Sequence, residues 1–255
     1  IMNPPEASSK NRSMHITILA NRPAMPNLPT VTAFLQEQQI RIIDTETLPV
    51  ASTWTSTRCA QRWYLQSDSA DLESIVWSDL GLADQVDVNF QHQSDTISDI
   101  KLAVFDMDST LIQCEVIDEL ATRAGVGEQV AAITERAMRG ELDFSQSFSE
   151  RLGLLRNLDA STAVEVAKDL PYTDGARELM KTLRARGIRT VIISGGFSLF
   201  ADHVATELGM DEYFANTLEV VDGLLTGVAI PPIVNADYKE AKLREIADSM
   251  GINLR

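Results

Sequence analysis

The stretch LAVFDMDSTLI, residues 102–112, joins a short apolar run directly to two aspartates, Asp106 and Asp108. Continuous apolar runs of this kind are typical of parallel strands that are covered on both faces. A second run, TVIISGG at residues 190–196, ends in Ser194 and two glycines. Alternation of such runs with amphipathic segments predicts an α/β fold with a Rossmann-like, mostly parallel sheet. The functional site of such a sheet lies beyond the carboxyl ends of its strands.

The segment between the two runs is helical in pattern. Its length of about 75 residues is too great for a plain crossover connection, so it predicts an inserted helical cap at about residues 116–171. After the cap, residues 174–187 predict an amphipathic helix that ends in glycine. A helix, a hairpin with Asp222-Gly223 as its turn, and a last helix follow.

The residues before Lys101 have a different pattern. Residues 14–91 alternate as strand, helix, strand, strand, helix and strand, which predicts a ferredoxin-like α+β domain. Residues 1–13 are polar and predict a disordered lead, and residues 92–99 predict a linker.

Composition excludes several classes of protein. A net charge of -15 over 255 residues argues against a non-specific nucleic-acid binder. The sequence contains no apolar run long enough to cross a membrane and no signal-peptide core near Ile1. Cys59 and Cys114 form no close pair, and the three histidines lack metal-ligand spacing. We therefore expect a cytoplasmic protein whose metal, if it binds one, has oxygen ligands.

The pair Asp106 and Asp108 is the first candidate site. With 37 acidic residues, chance alone supplies about five pairs at this spacing, so the spacing by itself carries little information. Two carboxylates at the buried end of a strand repel each other and are costly when unpaired. Mg²⁺ would neutralise them and would also contact a substrate phosphate. The context therefore predicts a magnesium site at Asp106 and Asp108.

The SGGF segment, residues 194–197, is the second candidate site. A hydroxyl and glycine N–H groups at the start of a helix form an anion site. The last helix supplies cations, among which Lys239, Lys242 and Arg244 compete. Together these groups predict phosphoryl transfer, in which one aspartate attacks phosphorus and the other moves protons.

FDMDSTL, SGGF and a later lysine, in this order, resemble the haloacid-dehalogenase superfamily of phosphatases. Three longer stretches resemble the phosphoserine phosphatase family in particular: DMDSTLIQCEVIDELA, ITERAMRGELDFSQSFSERLGLL and ISGGFSLFADHVATELGMDEYFAN. The resemblance covers about residues 100–255. It implies Mg²⁺-dependent hydrolysis of O-phosphoserine through an aspartyl-phosphate, the last step of serine biosynthesis. The N-terminal domain is similar in its order of elements to ACT-like domains, with serine or another amino acid as the implied ligand.

The resemblance also implies roles for individual residues. Asp106 would be the nucleophile and Asp108 the general acid and base, and the Asp106 carboxylate and the Asp108 carbonyl would hold magnesium. The implied phosphate-binding residues are Ser194, Gly195 and Lys239, and the implied substrate-binding residues are Glu115, Met138, Phe144, Arg151 and Gly196. Among these, Glu115 would meet the substrate ammonium, Arg151 would meet its carboxylate, and Met138 and Phe144 would close over the site.

The family carries a fourth motif, a Gly-Asp-Gly-x-x-Asp loop with a further magnesium ligand. The sequence ends at GINLR, before this loop, and we expect the 255-residue chain to bind Mg²⁺ weakly and to turn over slowly. Two alternatives stay open: a superfamily phosphatase for another small phosphomonoester, and a catalytically impaired amino-acid-binding regulator. A dehalogenase is disfavoured because halide displacement needs no acid two residues after the nucleophile. The sequence leaves the oligomeric state open, with a homodimer as one alternative.

Overall fold

The structure is a computed structural model that describes residues 14–21, 28–50, 58–67, 72, 75–77, 79–80, 86–92 and 100–254. The chain divides into two compact units, residues 1–99 and 100–255. The predicted lead and nearly all of the predicted linker lie outside the described residues. Among the described residues, no helix combines the length and the apolar character that crossing a membrane requires.

The N-terminal unit contains an antiparallel sheet. Its described elements are β1 (Met14–Asn21), α1 (Pro29–Glu37), β2 (Arg41–Leu48), β3 (Arg58–Gln66) and β4 (Val86–His92). The strands lie in the order β2-β3-β1-β4, and each neighbouring pair is antiparallel.

The core of this unit forms between one face of the sheet and α1. Ile16 and Ile18 alternate with outward residues along β1, and Val31 and Leu35 lie one turn apart on α1, so all four are buried. The predicted second helix, residues 71–85, lies mostly outside the described residues. The assignment as an ACT-like domain stays a prediction.

The second unit contains the predicted parallel sheet. Its strands are β5 (Leu102–Phe105), β6 (Arg189–Phe197), β7 (Glu212–Val221) and β8 (Leu224–Ile230), in the order β5-β6-β7-β8. The first three strands are parallel, whereas β7 and β8 form an antiparallel hairpin around Asp222-Gly223. The apolar run of β6 is buried from Val191 to Ile193, as expected for a strand covered on both faces. The expected α/β architecture is therefore confirmed.

Seven described helices accompany this sheet. Five of them lie between β5 and β6, and the first four of these are α2 (Val116–Arg123), α3 (Gly127–Met138), α4 (Phe144–Gly153) and α5 (Ser161–Lys168). The other three are α6 (Ala176–Ala185), α7 (Ser198–Leu208) and α8 (Ala236–Met250). We call α2–α5 the cap. Side-chain caps fix the starts of two helices that contribute residues to the site, α4 and α8. Asp143 and Gln146 form a capping box at α4, and the Asn235 side chain accepts from the N–H of Tyr238 at α8.

The register between β5 and β6 determines where the two motifs meet. Phe105 pairs with Ile192 in parallel register. Asp106 therefore leaves β5 level with the residues that lead into Ser194. Because parallel strands end at the same edge of a sheet, both motifs arrive at one edge.

Candidate active site

A cleft of about 180 Å³ opens at this edge of the second unit. Core and cap both contribute to its lining, which comprises Asp106, Asp108, Glu115, Val116, Ile117, Phe144, Phe148, Arg151, Ser194, Gly195, Gly196, Phe197 and Lys239. All the predicted site residues except Met138 are in this set. Met138 lies at the end of α3, is 84% exposed and is not part of the lining, so its contact with a substrate stays a prediction.

Asp106 is held by a cation on one oxygen and a backbone N–H on the other. Lys239 donates from Nζ to Asp106 Oδ2 at 2.6 Å, and the N–H of Met107 donates to Oδ1 at 2.8 Å. Lys242, a competitor on sequence grounds, donates instead to Glu245. Lys239 is therefore the lysine that the fold brings to the first aspartate.

Asp108 is a carboxyl group in an unfavourable place for a charge. Burial, and then the nearby carboxylates of Glu115 and Asp106, raise the pKa of Asp108 to about 7. The N–H of Val116 and the charge of Lys239 act in the opposite direction. The Oδ1 atom of Asp108 is buried and has no hydrogen-bond partner in the structure. This carboxyl group can therefore hold or release a proton near neutral pH, and it offers an uncompensated oxygen to a ligand.

Gly196, two residues after Ser194, is required by close packing. The N–H of Gly196 donates to Ser194 Oγ at 3.0 Å. A Cβ atom on Gly196 would lie 2.8 Å from Cε of the buried Met107 and 3.0 Å from Asp108 Oδ2. A side chain at this position would consequently displace the second aspartate.

Gly195 lies beneath an aromatic ring from the cap. A Cβ atom added to Gly195 would meet Phe144 Cζ at 3.4 Å. Phe144 stacks on Phe148 with ring centroids 5.8 Å apart. The aromatic side chains of α4 thus cover the turn at Ser194 and Gly195.

Two oppositely charged side chains from the cap and its first connection line the cleft: the carboxylate of Glu115 and the guanidinium of Arg151. Glu115 precedes α2 and accepts from Ser109 Oγ at 2.7 Å, with Ser109 in the left-handed region at φ 52°. Arg151, in the last turn of α4, donates from Nε to the carbonyl of Ser147 at 3.3 Å. This arrangement leaves the end of the guanidinium group for a ligand in the cleft, where it can bind a carboxylate with two parallel hydrogen bonds.

Asn216 is a site residue that the sequence interpretation did not identify. Its side chain is fully buried at 0% exposure. Nδ2 donates to the carbonyl of Gly195 at 2.8 Å, and Oδ1 accepts from the N–H of Val234 at 2.8 Å. Asn216 therefore ties the turn at Gly195 to the segment that leads into the helix of Lys239. The only sequence feature that could have indicated this role is an asparagine within the apolar part of β7.

The oxygen atoms at this edge of the sheet fit a hard divalent cation. Asp106 and Asp108 supply carboxylates, and the buried Oδ1 of Asp108 lacks a partner. Mg²⁺ typically uses one or two carboxylates together with substrate phosphate and water. In the described part of the chain, no cluster of three or more His, Cys, Asp or Glu side chains could hold a metal. The lining residues of the cleft include carboxylates but no histidine or cysteine, and such oxygen donors suit Mg²⁺ better than zinc.

Comparison with known proteins agrees with this geometry. Residues 100–251 match the haloacid dehalogenase-like hydrolase family. The phosphoserine phosphatase of Streptococcus thermophilus is 48% identical over 159 residues, which are 62% of this chain and 74% of that protein. The phosphoserine phosphatase of Archaeoglobus fulgidus is 42% identical over 168 residues, which are 66% of this chain but 49% of that protein.

A solved structure extends the comparison to the fold. The unliganded crystal structure of a probable phosphoserine phosphatase from Vibrio cholerae matches with a TM-score of 0.71 and 30% identity, over 95% of this chain and 71% of that one. The chain thus spans about half to three quarters of the length of these relatives. Since the family match extends over more than half of the residues, the chain belongs to the haloacid dehalogenase-like hydrolases.

Proposed function

We propose that this chain hydrolyses the phosphate ester of O-phosphoserine. The observation that carries the proposal is the composition of one cleft. Asp106, Lys239 and the Ser194 turn suit a phosphate, and Glu115 and Arg151 suit an ammonium and a carboxylate. O-Phosphoserine carries all three groups. The names of the relatives support the same substrate.

In the first step, an Asp106 carboxylate oxygen attacks phosphorus and the ester bond to the serine oxygen breaks. The products are an aspartyl-phosphate and serine. The phosphoryl oxygens accept hydrogen bonds from Lys239, Ser194 Oγ and the N–H of Gly195, which stabilise the charge that spreads over them. Asp108, in its protonated form, gives its proton to the leaving serine oxygen.

In the second step, the Asp108 carboxylate takes a proton from water, and that water attacks phosphorus. Phosphate leaves and the Asp106 carboxylate is restored. A general acid and base works best when its pKa lies near the working pH, and a pKa of about 7 for Asp108 meets this condition.

Magnesium completes the proposal. The Asp106 carboxylate and the Asp108 backbone carbonyl would hold the ion. When bound, Mg²⁺ neutralises part of the charge on the phosphoryl oxygens and the carboxylates. The carboxylate of Asp106, which lines the cleft, supports a cation at this place.

The cap selects the substrate in this proposal. Glu115 binds the ammonium group, Arg151 binds the carboxylate with two hydrogen bonds, and Phe144 covers the turn at Gly195. An aryl phosphate offers neither of the two charged groups. Loss of Arg151 therefore affects phosphoserine selectively.

The test is phosphate release by Arg151→Ala with two substrates. We expect kcat/KM for O-phosphoserine to fall about 30- to 100-fold, as expected for loss of a charged hydrogen-bonded pair, while p-nitrophenyl phosphate changes less than about threefold. Arg139→Ala is the matched control, because Arg139 is a cap arginine paired with Glu135 and Glu141 on the surface.

The outcomes of this test separate the alternatives. Equal losses on both substrates would indicate a different small phosphomonoester. Binding of O-phosphoserine without phosphate release would indicate a regulatory protein. If Asp106→Asn hydrolysed either ester as fast as the parent chain does, Asp106 would be excluded as the nucleophile.

The N-terminal unit enters the proposal as an ACT-like domain that binds serine or another amino acid. Its antiparallel strand order and its α1 packing support this assignment. Calorimetric titration of serine into the full chain and into Arg151→Ala tests it. Serine binding that survives Arg151→Ala lies outside the cleft, whereas binding lost in that variant contradicts a separate N-terminal site.

A further inference from the structure

The β7–β8 hairpin belongs to the core sheet but is also hydrogen-bonded to the cap. The N–H of Asn157 donates to the carbonyl of Leu225, and the N–H of Leu225 donates to the carbonyl of Leu158. The N–H of Ala160 donates to the carbonyl of Gly223. These bonds join the hairpin to the loop between α4 and α5, as an extra short piece of sheet.

Gly227, in the middle of β8, brings the hairpin into direct contact with the end of α4. It has a φ of 77°, in the region that favours glycine. A Cβ atom on Gly227 would lie 3.2 Å from Gly153 Cα, 3.3 Å from the Gly153 carbonyl and 3.2 Å from Arg156 Cβ. Two of these three neighbours are backbone atoms of a helix, which cannot move aside as a flexible side chain can. The hairpin and α4 thus meet backbone to backbone.

The helix end that rests on Gly227 is also the end that carries Arg151. Arg151 and Gly153 lie two residues apart in the last turn of α4, with the buried Leu152 between them. On the other side, β7 is paired with β6, the strand that carries Ser194. A continuous backbone path therefore runs from Ser194 through the hairpin to Arg151.

We propose that the β7–β8 hairpin positions Arg151 over the phosphate-binding turn, with Gly227 as the positioning residue. The contact at Gly153 fixes the separation between the group that binds a carboxylate and the groups that bind a phosphate. It thereby selects a phosphomonoester in which the two anionic groups lie at one particular spacing. This inference rests on the proposed function, because it assigns a cause to the selectivity of the same cleft.

The test compares two glycine variants of the hairpin. Gly227→Ala adds a methyl group against α4, whereas Gly223→Ala adds one at a similar φ of 81° with no atom within 4 Å. Backbone strain is thus common to both variants, and only Gly227→Ala displaces the helix. We expect Gly227→Ala to raise KM for O-phosphoserine about tenfold, since a misplacement below 1 Å costs less than the hundredfold associated with 1 Å. KM for p-nitrophenyl phosphate is expected to stay within about twofold of the parent value.

A double-variant cycle distinguishes positioning from general damage. In the Arg151→Ala background, Gly227→Ala has no Arg151 to displace, so its effect on KM for O-phosphoserine disappears. A second variant covers the case in which Gly227→Ala fails to fold. Ala160→Pro removes the N–H that bonds to Gly223 and suits the φ of -62° at Ala160. It is expected to raise the same KM by a smaller factor.

The inference is overturned by an equal loss on both substrates, by an equal effect of Gly223→Ala, or by an effect that persists without Arg151. Calorimetric titration of the same variants with O-phosphoserine and with inorganic phosphate compares their affinities for the two ligands without relying on turnover. A parent chain that hydrolyses neither ester refutes the proposed function. The positioning inference is then decided by whether Gly227→Ala weakens binding of O-phosphoserine more than binding of phosphate.

Discussion

Replacing Asp108 with asparagine is expected to stabilise the fold at alkaline pH while it abolishes the proposed acid and base. The carboxyl group is buried beside Glu115 and Asp106, and its Oδ1 atom has no partner. Asparagine has nearly the same shape and no charge. The variant therefore removes an electrostatic cost and creates no cavity.

The size of the effect follows from the pKa. The difference between a pKa of about 7 in the folded state and 3.8 in the unfolded state, at about 1.36 kcal/mol per pH unit, gives about 4 kcal/mol. The unfolded state binds fewer protons than the folded state between these two values, so the free energy of unfolding of the parent chain falls as pH rises through this window. The full penalty is present above pH 7. At pH 4.5 it has decreased to about 1 kcal/mol.

The assay is urea unfolding of the parent chain and of Asp108→Asn in EDTA, at pH 8 and pH 4.5. We expect the variant to be more stable by about 2 to 4 kcal/mol at pH 8, and by about 1 kcal/mol at pH 4.5. Circular dichroism follows mainly the second unit, which contains seven of the eight helices assigned among the described residues. All three tryptophans lie before residue 99, so their fluorescence reports on the N-terminal unit and provides an internal control.

Asp222→Asn is the matched control, because Asp222 is an exposed turn residue with a φ of 50°, which asparagine tolerates. Its stability difference from the parent chain is expected to be the same at both pH values. A pH-independent difference for Asp108→Asn, or a variant less stable than the parent chain at pH 8, would refute the reasoning about a strained carboxylate.

Three further substitutions test other parts of the site, the first two by steady-state phosphate release and the third by urea unfolding. Lys239→Ala is expected to lower kcat at least about 100-fold, because it removes a preorganised positive charge, whereas Lys242→Ala is expected to change kcat less than about fivefold. Similar losses in the two variants would contradict the assignment of Lys239. Gly196→Ala is expected to abolish turnover, because its methyl group would overlap Met107, and measurable activity near the parent level would contradict that packing. Asn216→Leu leaves two buried backbone groups unpaired and is expected to cost about 2 to 4 kcal/mol in urea unfolding, while an unchanged midpoint would show that the bridge is dispensable.

The sequence could predict the parts of the site that depend on strand ends. Asp106 follows an apolar run and Ser194 ends another, and parallel strands bring such ends together. Periodicity likewise located the strands and helices of the second unit. The cleft residues Glu115 and Arg151, in contrast, came only from resemblance to a family, because a charged residue on a helix is ordinarily a surface residue.

The remaining features depend on contacts between distant segments. Asn216 acts through Gly195 and Val234, which lie 21 and 18 residues away, and no local pattern marks such a bridge. Gly227 interrupts an alternating strand and, without the fold, could equally indicate a bulge. The role of Met138 came from the resemblance alone and stays a prediction, because this side chain is exposed and does not line the cleft.

The pairing of Phe105 with Ile192 constrains the length of β5 as well as its composition. Successive side chains of a strand point to opposite faces, so one inserted or deleted residue between Leu102 and Phe105 would exchange the orientations of Asp106 and Met107. A carboxylate would then enter the apolar core and a thioether would face the phosphate. With four residues, β5 has no room to absorb such a change through a bulge. We therefore expect active relatives to keep the length of this strand even where its apolar residues differ.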